Sequence, residues 1–559
     1  IPGHIPTTEV GKPELPVLSR LIKIPEGSEY KIRITDIRST RIKPGLRRIE
    51  GLLYPAQEGE TKSVQKKKPE FKIDKTTYSI KGFTTTDTLR IETIGKLREM
   101  NLSSLYIYPT KYNPHTNSIE VITSMKIEII FSGSVDKKSR DSDSQLLGEL
   151  LTKGIINYNP DQVTPGYTDS PVRMIIVTDT SFRKHLEPYI KWKTQKGYKL
   201  DVLYKGADFA GNNYIALKDT IKSLYDSATP ENPAPDYLLI IGDVAKIPYY
   251  GTGAVTDMYY GEFTGDGDYI PELFIGRLPA SDTTDVKSVL SKIIQYEKFE
   301  FADTNRFYSN ALITAGSDGS HSVYMNGQVR YGSTYYLTGE NKINGYSFLN
   351  GAASEDSIKT LLNQGLSFIN YTGHGEVSGW VYPAINNADI PACSNKNRYP
   401  FVISNACLTS VFSLASFGNE VVLAPDKGAI GFIGCSDDSF WDEDYYWAVG
   451  TGTITEDPTY ETTGLGALDR LFHTNGELAS DWYITMGQVN YAGNLSVSAS
   501  TSSSKKYYWE KYNLVGDPSV IPYIGTPDSF NIILPDTLPN GIKSYSFLAP
   551  PFSSAAVSH

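Results

Sequence analysis

Two residue types that are capable of nucleophilic catalysis, a histidine and a cysteine, each follow a short apolar run of this chain. His374 comes shortly after residues 368–371, and Cys407 comes shortly after residues 401–403. If the two runs are neighbouring strands of a parallel sheet, both side chains emerge at the same edge. An imidazolium beside a thiol lowers the thiol pKa, and the thiolate is the nucleophile. The pattern therefore predicts Cys407 as nucleophile and His374 as base, with the amides of Gly375 and Cys407 as oxyanion donors.

The three cysteines differ in how well they fit such a role. A cysteine after an apolar strand is commonly a buried small hydrophobe, so position alone does not make one reactive. Cys393 lies in a polar stretch, whereas Cys435 also follows an apolar run and stays open as an alternative to Cys407. At most one disulfide can form among three cysteines, so at least one thiol is free.

The sequence around these residues predicts strands that alternate with helices. Helical patterns at 282–298 and 354–364 separate apolar runs that are hydrophobic on both faces. Such runs are typical of a parallel sheet covered by helices, and in these sheets function gathers at the carboxyl ends of the strands. The predicted strands are 174–177, 238–241, 312–315, 368–371, 401–403 and 430–433.

The length of 559 residues predicts more than one domain. Residues 1–165 show the alternation and Pro/Gly turns of a mostly β domain with a charged linker near its end. Residues 166–524 carry the α/β pattern. Residues 525–559 return to β alternation and read as the start of an immunoglobulin-like β segment.

Composition narrows the possible partners. The net charge of −10 argues against binding to nucleic acid or to an anionic membrane. No apolar run is long enough to span a bilayer, so no transmembrane segment is expected. No pattern for an organic cofactor is present.

A second group of candidate ligands lies in an acidic turn. Asp266, Asp268 and Glu272 supply alternate oxygens around a glycine, which suits Ca²⁺ as a hard cation that takes six to eight oxygen ligands. The spacing is not that of an EF-hand, and an ordinary acidic turn is an equally good interpretation.

Several longer segments resemble one known family. They are 171–177 (PVRMIIV), 191–198 (KWKTQKGY), 311–318 (ALITAGSD), 370–375 (NYTGHG), 405–407 (NAC), 440–447 (FWDEDYYW) and 507–518 (YYWEKYNLVGDP). They resemble the gingipains, caspase-related cysteine peptidases, and most closely the lysine-specific members, from about 171 to 523. The stretch 10–20 (VGKPELPVLSR) is similar to the family's propeptide. The resemblance implies a caspase-like parallel-sheet peptidase domain behind a mostly β propeptide domain.

The resemblance also implies roles for individual residues. It places the catalytic pair on His374 and Cys407 and adds Asp318 as the acid that orients the imidazole. It places Asp444 at the base of the S1 pocket, the pocket for the P1 residue before the cut bond. The further substrate-binding residues implied are Trp441 and Thr372 as walls, with Asn405 beside them. From the residues alone, Asp437, Asp438, Asp442 and Glu443 remain alternatives to Asp444.

Metal, specificity and location follow from the same resemblance. It matches the acidic turn to a structural calcium site and adds Asp243 and the carbonyl of Ile270 as ligands. The segment 321–329 lacks the pocket acid of the arginine-specific relatives, which favours lysine at P1. A secreted or bacterial cell-surface location is implied. Charge complementarity predicts that a basic propeptide side chain, from Lys66–Lys68 or Lys111, fills the acidic pocket as an inhibitor.

The sequence therefore predicts a secreted cysteine endopeptidase in zymogen form that cuts proteins after lysine. Three alternatives remain open at this point. The first is a peptidase of arginine or mixed specificity, and the second is a secreted binding protein on a peptidase scaffold without turnover. The third is a cysteine transpeptidase that shares the acyl-enzyme step.

Overall fold

The structure is a computed structural model, and it describes most but not all of the chain. The described residues are 3–43, 48–49, 51–84, 87–98, 100–133, 155–157, 172–206, 210–229, 232–250, 255–265, 267–301, 306–477 and 482–527, together with 537 and 548. Nearly all of the predicted C-terminal β segment, and most of the linker predicted near residue 165, lie outside these ranges. The domain boundaries at 165 and 524 stay predictions.

The N-terminal region is built from antiparallel strands, as its alternating pattern predicts. One sheet has the order β1-β2-β7-β6, a second has the order β3-β9-β8, and β4 pairs with β5. The strands are β1 Ile5–Pro6, β2 Pro16–Ile24, β3 Glu29–Ile42, β4 Arg48–Ile49, β5 Leu52–Leu53, β6 Leu89–Leu97, β7 Met100–Ile107, β8 Thr110–Asn113 and β9 Ser118–Ser132.

A ten-stranded sheet forms the centre of the second region, with the order β11-β10-β12-β13-β21-β20-β19-β16-β14-β15. Its strands are β10 Val172–Asp179, β11 Tyr198–Lys205, β12 Tyr237–Ile241, β13 Phe274–Leu278, β14 Asn310–Ala315, β15 Asn344–Phe348, β16 Phe368–Thr372, β19 Phe401–Asn405, β20 Gly431–Cys435 and β21 Tyr512–Val515. A short ribbon of β17 Gly375–Glu376 and β18 Gly379–Trp380 follows β16. Each predicted strand of this sheet is confirmed to within a few residues.

The helices are α1 Lys75–Tyr78, α2 Arg183–Gln195, α3 Tyr214–Asp226, α4 Thr283–Glu297, α5 Ser322–Tyr335, α6 Glu355–Gln364, α7 Phe417–Leu423, α8 Trp441–Val449, α9 Ala467–Phe472, α10 Met486–Ser498 and α11 Lys505–Lys511. Short 3₁₀ turns lie at Thr180–Phe182, Met258–Tyr260, Phe307–Ser309, Asn387–Ala392 and Tyr460–Thr462. Both predicted helices are confirmed, and their first residues follow side-chain caps. Asp282 accepts the N–H groups of Thr284 and Asp285, and Ser354 forms a capping box with Ser357.

The large sheet is not uniformly parallel, which differs from the sequence-based expectation. Strand β21 runs parallel to β13 and antiparallel to β20. Strands β10 to β13 therefore run opposite to the block formed by β20, β19, β16, β14 and β15. The carboxyl end of β12, which leads to Asp243, thus lies at the opposite edge of the sheet from His374 and Cys407.

One continuous apolar core joins the two regions. It includes Val17 and Leu102 of the N-terminal strands together with buried residues of the large sheet such as Ile176, Ile313 and Ile403. Burying strands on both faces explains why they read as continuous apolar runs rather than as alternating ones. Among the described residues, no helix is long and apolar enough to cross a membrane.

Candidate active site

Three neighbouring parallel strands bring the predicted reactive residues to one edge. In the strand pairing, Ala315, Thr372 and Asn405 lie side by side as the last residues of β14, β16 and β19. Asp318, His374 and Cys407 follow these positions by two or three residues. The shared register therefore carries all three side chains past the same rim of the sheet.

His374 is held by an acid on one ring nitrogen. Its Nε2 donates to Asp318 Oδ2 over 2.9 Å. Burial acts to raise the pKa of Asp318, but the Ser320 N–H and two imidazoles outweigh this effect and lower that pKa. Asp318 is therefore an anion at neutral pH that can fix the ring and stabilise its charged form.

The turn that carries His374 is itself anchored. Tyr371 Oη lies 2.8 Å from the His374 carbonyl oxygen and 3.1 Å from that of Tyr382, and its single O–H is shared between them. A Cβ at Gly373 would stand 2.6 Å from the Tyr371 hydroxyl, so only glycine fits there. The glycine before His374 thus permits the close turn that aims the imidazole at the strand edge.

Cys407 lies fully buried on the tight turn after β19. The Ser439 N–H donates to its Sγ over 3.2 Å, and the next residue, Leu408, has a φ of 61°, which a branched residue rarely adopts. A Cβ at Gly375 would come within 2.6 Å of the Cys407 carbonyl oxygen, so this glycine lets the two backbones approach. Burial raises the pKa of the Cys407 thiol to about 12.

A lysine from the N-terminal region fills a buried pocket beside this pair. The Lys62 ammonium lies 2.8 Å from Asp444 Oδ2, and both side chains are almost completely buried. It also donates to the Asn405 carbonyl oxygen over 2.9 Å and to Thr372 Oγ1 over 3.1 Å. The Trp441 ring centroid lies 4.8 Å from the same nitrogen. All four residues predicted to bind substrate therefore surround one ammonium group.

The pocket acid has partners that sequence reasoning missed. Ser439 Oγ donates to Asp444 Oδ2 over 2.8 Å, and Tyr508 Oη donates to Asp444 Oδ1 over 2.9 Å. Tyr512 Oη also donates to Asp444 Oδ1. The only sequence signal for the two tyrosines was their place in the segment 507–518, because hydroxyl donors have no characteristic spacing.

The identity of the lysine corrects the prediction for the N-terminal region. Lys62 occupies the pocket, whereas Lys66 binds Asp438 over 2.5 Å and Lys68 binds Glu60 over 3.2 Å. Lys111 lies in the N-terminal strand β8. A triple-lysine run attracts attention by charge, but a single buried lysine forms the contact because a narrow pocket admits one stem.

The residues around Lys62 lie along the pocket as an added strand. Thr61 bridges Phe440 in antiparallel fashion, and the Lys62 N–H donates to the Ser439 carbonyl oxygen over 2.8 Å. The Lys62 carbonyl oxygen accepts a hydrogen bond from His374 Nδ1. A peptide backbone therefore lies across the site with its carbonyl group at the imidazole.

The alternative nucleophile Cys435 and the described residues among the predicted calcium ligands have other partners than the residues around Lys62. Cys435 is fully buried as the last residue of β20, inside the sheet rather than beyond it. Both carboxylate oxygens of Asp268 accept backbone N–H groups, from Ile270 and Lys96, and Glu272 accepts that of Phe263. Asp243 Oδ1 accepts the Lys246 N–H.

The described residues do not by themselves form a metal centre. Within the described ranges, no group of three or more His, Cys, Asp or Glu side chains is placed to hold an ion. Asp266, one of the predicted ligands, lies outside those ranges. Burial, followed by the charges of Asp268 and Glu262, raises the pKa of Glu272 to about 8. This local excess of negative charge fits a bound cation.

Comparison with known families and relatives agrees with this geometry. A parallel-stranded sheet with a histidine and a cysteine at adjacent strand ends defines the class of α/β cysteine peptidases. The model of peptidase family C25 matches residues 167–523, and the model of the C25 propeptide matches residues 2–163. The chain belongs to peptidase family C25, the gingipain family.

Individual relatives give the same result. The chain is 32% identical to Lys-gingipain W83 of Porphyromonas gingivalis over its whole length, and it spans 32% of that protein. It is 23% identical to Gingipain R1 of the same organism over 75% of the chain, which spans 42% of that relative. The chain thus spans about a third of the length of the Lys-gingipains that it matches.

Solved structures show the fold. A structure described as "Structure of Protease" is 33% identical, with a TM-score of 0.62 over 67% of this chain and 84% of the other. The Arg-specific cysteine proteinase gingipain R is 19% identical, with a TM-score of 0.56 over 67% and 84%. The second likeness shows the fold alone.

Proposed function

We propose that this chain is a cysteine endopeptidase that cuts proteins after lysine and that its own N-terminal region holds it inactive. The observation that carries the proposal is the position of Lys62. Its ammonium is buried against Asp444, and its carbonyl oxygen meets the imidazole of His374. The Lys62 side chain is therefore bound as the P1 side chain of a substrate would be.

The three contacts of the ammonium argue for lysine rather than arginine. A lysine ammonium has three N–H donors, and the pocket offers three oxygens, from Asp444, Asn405 and Thr372. An arginine is longer, and its planar group carries five donors in a fixed fork. It would leave some of these donors buried without partners, which costs free energy.

The proposed reaction assigns one role to each residue at the strand ends. Cys407 attacks the carbonyl carbon of the P1 lysine, and Nδ1 of His374 takes the thiol proton and delivers it to the leaving P1′ amine. Nε2 is committed to Asp318, so Nδ1 is the nitrogen that can exchange protons. The amides of Gly375 and Cys407 are proposed to hold the oxyanion. Water, activated by the same histidine, then hydrolyses the acyl-enzyme.

The same contacts suggest how the inactive state arises. The Lys62 carbonyl oxygen occupies His374 Nδ1, the atom that would accept the thiol proton. The thiol itself is buried, and its pKa is raised to about 12, so little thiolate exists at neutral pH. Three features together therefore keep the chain inactive: Lys62 fills the S1 pocket, His374 Nδ1 is engaged, and the Cys407 thiol stays protonated.

The experiment compares fluorogenic peptides that differ only in lysine or arginine at P1. It uses the full chain carrying Lys62→Ala, in which the pocket is free, with and without Asp444→Asn. Removing one partner of a buried ion pair costs about 3–5 kcal/mol, so kcat/KM for the lysine peptide should fall by about 100-fold or more. Asp457→Asn, at an exposed acid that pairs with Arg330, is the matched control and should leave kcat/KM unchanged.

Three outcomes would contradict the proposal. Faster cleavage after arginine would replace lysine specificity with the first alternative. Absence of cleavage, with no label on Cys407 from a lysyl chloromethylketone, would favour a binding protein on a peptidase scaffold. An added amine that accepts the acyl group in place of water would instead reveal a transpeptidase.

A metal site and a location are also proposed. A structural calcium ion near Asp268 and Glu272 is supported by the crowding of carboxylates there, and Asp243, Asp266 and the Ile270 carbonyl are its other proposed ligands. A secreted or cell-surface location is supported by the resemblance to the gingipains.

A further inference from the structure

Residues 60–62, called the inhibitory segment below, indicate where substrate residues other than P1 bind. The backbone N–H of Lys62 donates to the Ser439 carbonyl oxygen over 2.8 Å. The backbone N–H of Trp441 donates to the Glu60 carbonyl oxygen over 3.2 Å. With Lys62 in the place of P1, Glu60 stands in the place of P3. Strand addition uses backbone groups that every peptide has, so a substrate would adopt the same register. The surroundings of Glu60 are therefore those of a P3 side chain.

One side chain of the α/β region meets the Glu60 carboxylate. His321 Nε2 lies 2.9 Å from Glu60 Oε2. The His321 ring stacks on Trp441 with a centroid distance of 4.5 Å and an interplanar angle of 2°. On the other ring nitrogen, Nδ1 lies 3.2 Å from Asp318 Oδ2. The imidazole is mostly buried and is held between a stacking surface and an anion, so it is positioned before a peptide arrives.

Besides His321, an acid of the α/β region and a lysine of the N-terminal region lie near the Glu60 carboxylate. Asp442 lies close enough that the Glu60 charge raises its pKa while His321 lowers it, although burial is the largest cause of its raised pKa. Lys68, which also contacts Glu60 over 3.2 Å, belongs to the N-terminal segment itself. A separate peptide would lose the Lys68 contact and keep the one to His321.

We propose that His321 forms an S3 subsite that selects an acidic residue at P3, so that Glu-Xaa-Lys sequences are preferred for cleavage. The inference deepens the proposed function and rests on it for the assignment of P1. His321 is a specificity residue that contacts the peptide, and it shares Asp318 with His374.

The first test is a double-mutant cycle on the intact full chain. Opening of the inhibitory segment makes Cys407 less buried and speeds its labelling by iodoacetamide, and peptide mapping separates this label from those on Cys393 and Cys435. The variants are Glu60→Gln, His321→Gln and both together. Each single change should speed labelling roughly twofold to fivefold, as expected for a partly exposed charged contact, and the pair should add little more. Glu58→Gln, at an exposed acid that pairs with Lys72, should have no effect.

The second test moves the contact from the inhibitor to substrates. Acetyl-Glu-Thr-Lys and acetyl-Gln-Thr-Lys fluorogenic amides are compared on the full chain carrying Lys62→Ala, with and without His321→Gln. The ratio of kcat/KM for Glu over Gln should be roughly twofold to fivefold and should fall to about one in the His321→Gln chain. His321→Lys should retain a preference for Glu, and His185→Gln, on α2, should leave the ratio unchanged.

The outcomes separate the two proposals. Equal rates for both peptides, or a ratio that survives His321→Gln, would overturn the S3 assignment while leaving the peptidase proposal intact. Fully additive labelling effects would also overturn it. If neither peptide is cleaved, the peptidase proposal fails, and the labelling cycle then decides alone whether His321 holds the carboxylate.

Discussion

At the scale of single residues, a buried thiol and a blocked imidazole characterise this site. Cys407 has no exposed surface, and His374 Nδ1 is engaged by the Lys62 carbonyl oxygen. A thiol reacts as its thiolate, and burial, with the nearby charges of Asp438 and Asp444, disfavours that form. The residues needed for attack are therefore present, but in the inactive protonation state.

The raised thiol pKa predicts an unusual pH dependence for the intact chain. With the pKa of Cys407 at about 12, the thiolate fraction should rise about tenfold per pH unit through the mildly alkaline range. Iodoacetamide labelling of Cys407 in the full chain should follow this slope without a plateau near neutral pH. The Lys62→Ala chain should label faster at pH 7, because the thiol is then less buried and the imidazole is free.

Peptide mapping supplies the control for that measurement. Burial also raises the pKa of Cys435 well above its ordinary value, so Cys435 should label slowly in both chains. A plateau below pH 8 for Cys407 in the intact chain would contradict the inactive state described here.

At the scale of elements, the strand ends and one added strand decide the site. The ends of β14, β16 and β19 carry Asp318, His374 and Cys407, and the segment 60–62 pairs along 439–441 beside them. The buried Lys62–Asp444 ion pair is specific to this added strand, whereas its backbone contacts are available to any peptide.

Loss of Lys62 should therefore release the segment. The Lys62→Ala full chain should cleave lysine peptides at least about tenfold faster than the unchanged chain, since a broken buried pair costs about 3–5 kcal/mol. Lys72→Ala is the matched control, because Lys72 forms only an exposed pair with Glu58. Equal activity in the Lys62→Ala and Lys72→Ala chains would show that other contacts keep the segment in place.

At the scale of the whole molecule, the N-terminal strands attach to the α/β region through several polar contacts away from the site. Arg98 binds Asp236 over 2.9 Å, and the Tyr106 hydroxyl donates to the Ser500 carbonyl oxygen over 3.2 Å. The Lys96 N–H donates to Asp268 Oδ2 over 3.0 Å. The acidic turn that includes Asp268 thus belongs both to the proposed calcium site and to the attachment surface.

Calcium removal should consequently weaken the full chain. If the Ca²⁺ concentration is about 100 to 1,000 times its Kd, EDTA should lower Tm by about 2–4 °C, and added Ca²⁺ should restore it. Glu272→Gln should abolish the response to EDTA, whereas Glu340→Gln, at an exposed position, should retain it. The measurement is a thermal melt of each chain with and without Ca²⁺, and an unchanged Tm on EDTA addition would exclude a structural calcium ion.

The sequence by itself determined the local structure and the residues at the strand ends. Apolar runs followed by small residues placed β14, β16 and β19, and their neighbouring positions predicted that His374 and Cys407 share an edge. The prediction succeeds because a few consecutive residues are enough to indicate a buried strand. Neighbouring parallel strands also have their carboxyl ends at the same edge of the sheet.

Only the tertiary structure decided which acids, hydroxyls and lysines meet. Lys62 lies 382 positions before Asp444 in the chain, and no local pattern distinguishes it from Lys66 or Lys111. The tyrosines around Asp444, the opposite direction of the β10 to β13 block and the contact of His321 with Glu60 were likewise absent from the sequence analysis. Such contacts join residues that are distant in sequence, and a buried charge selects its partner by geometry and desolvation rather than by spacing.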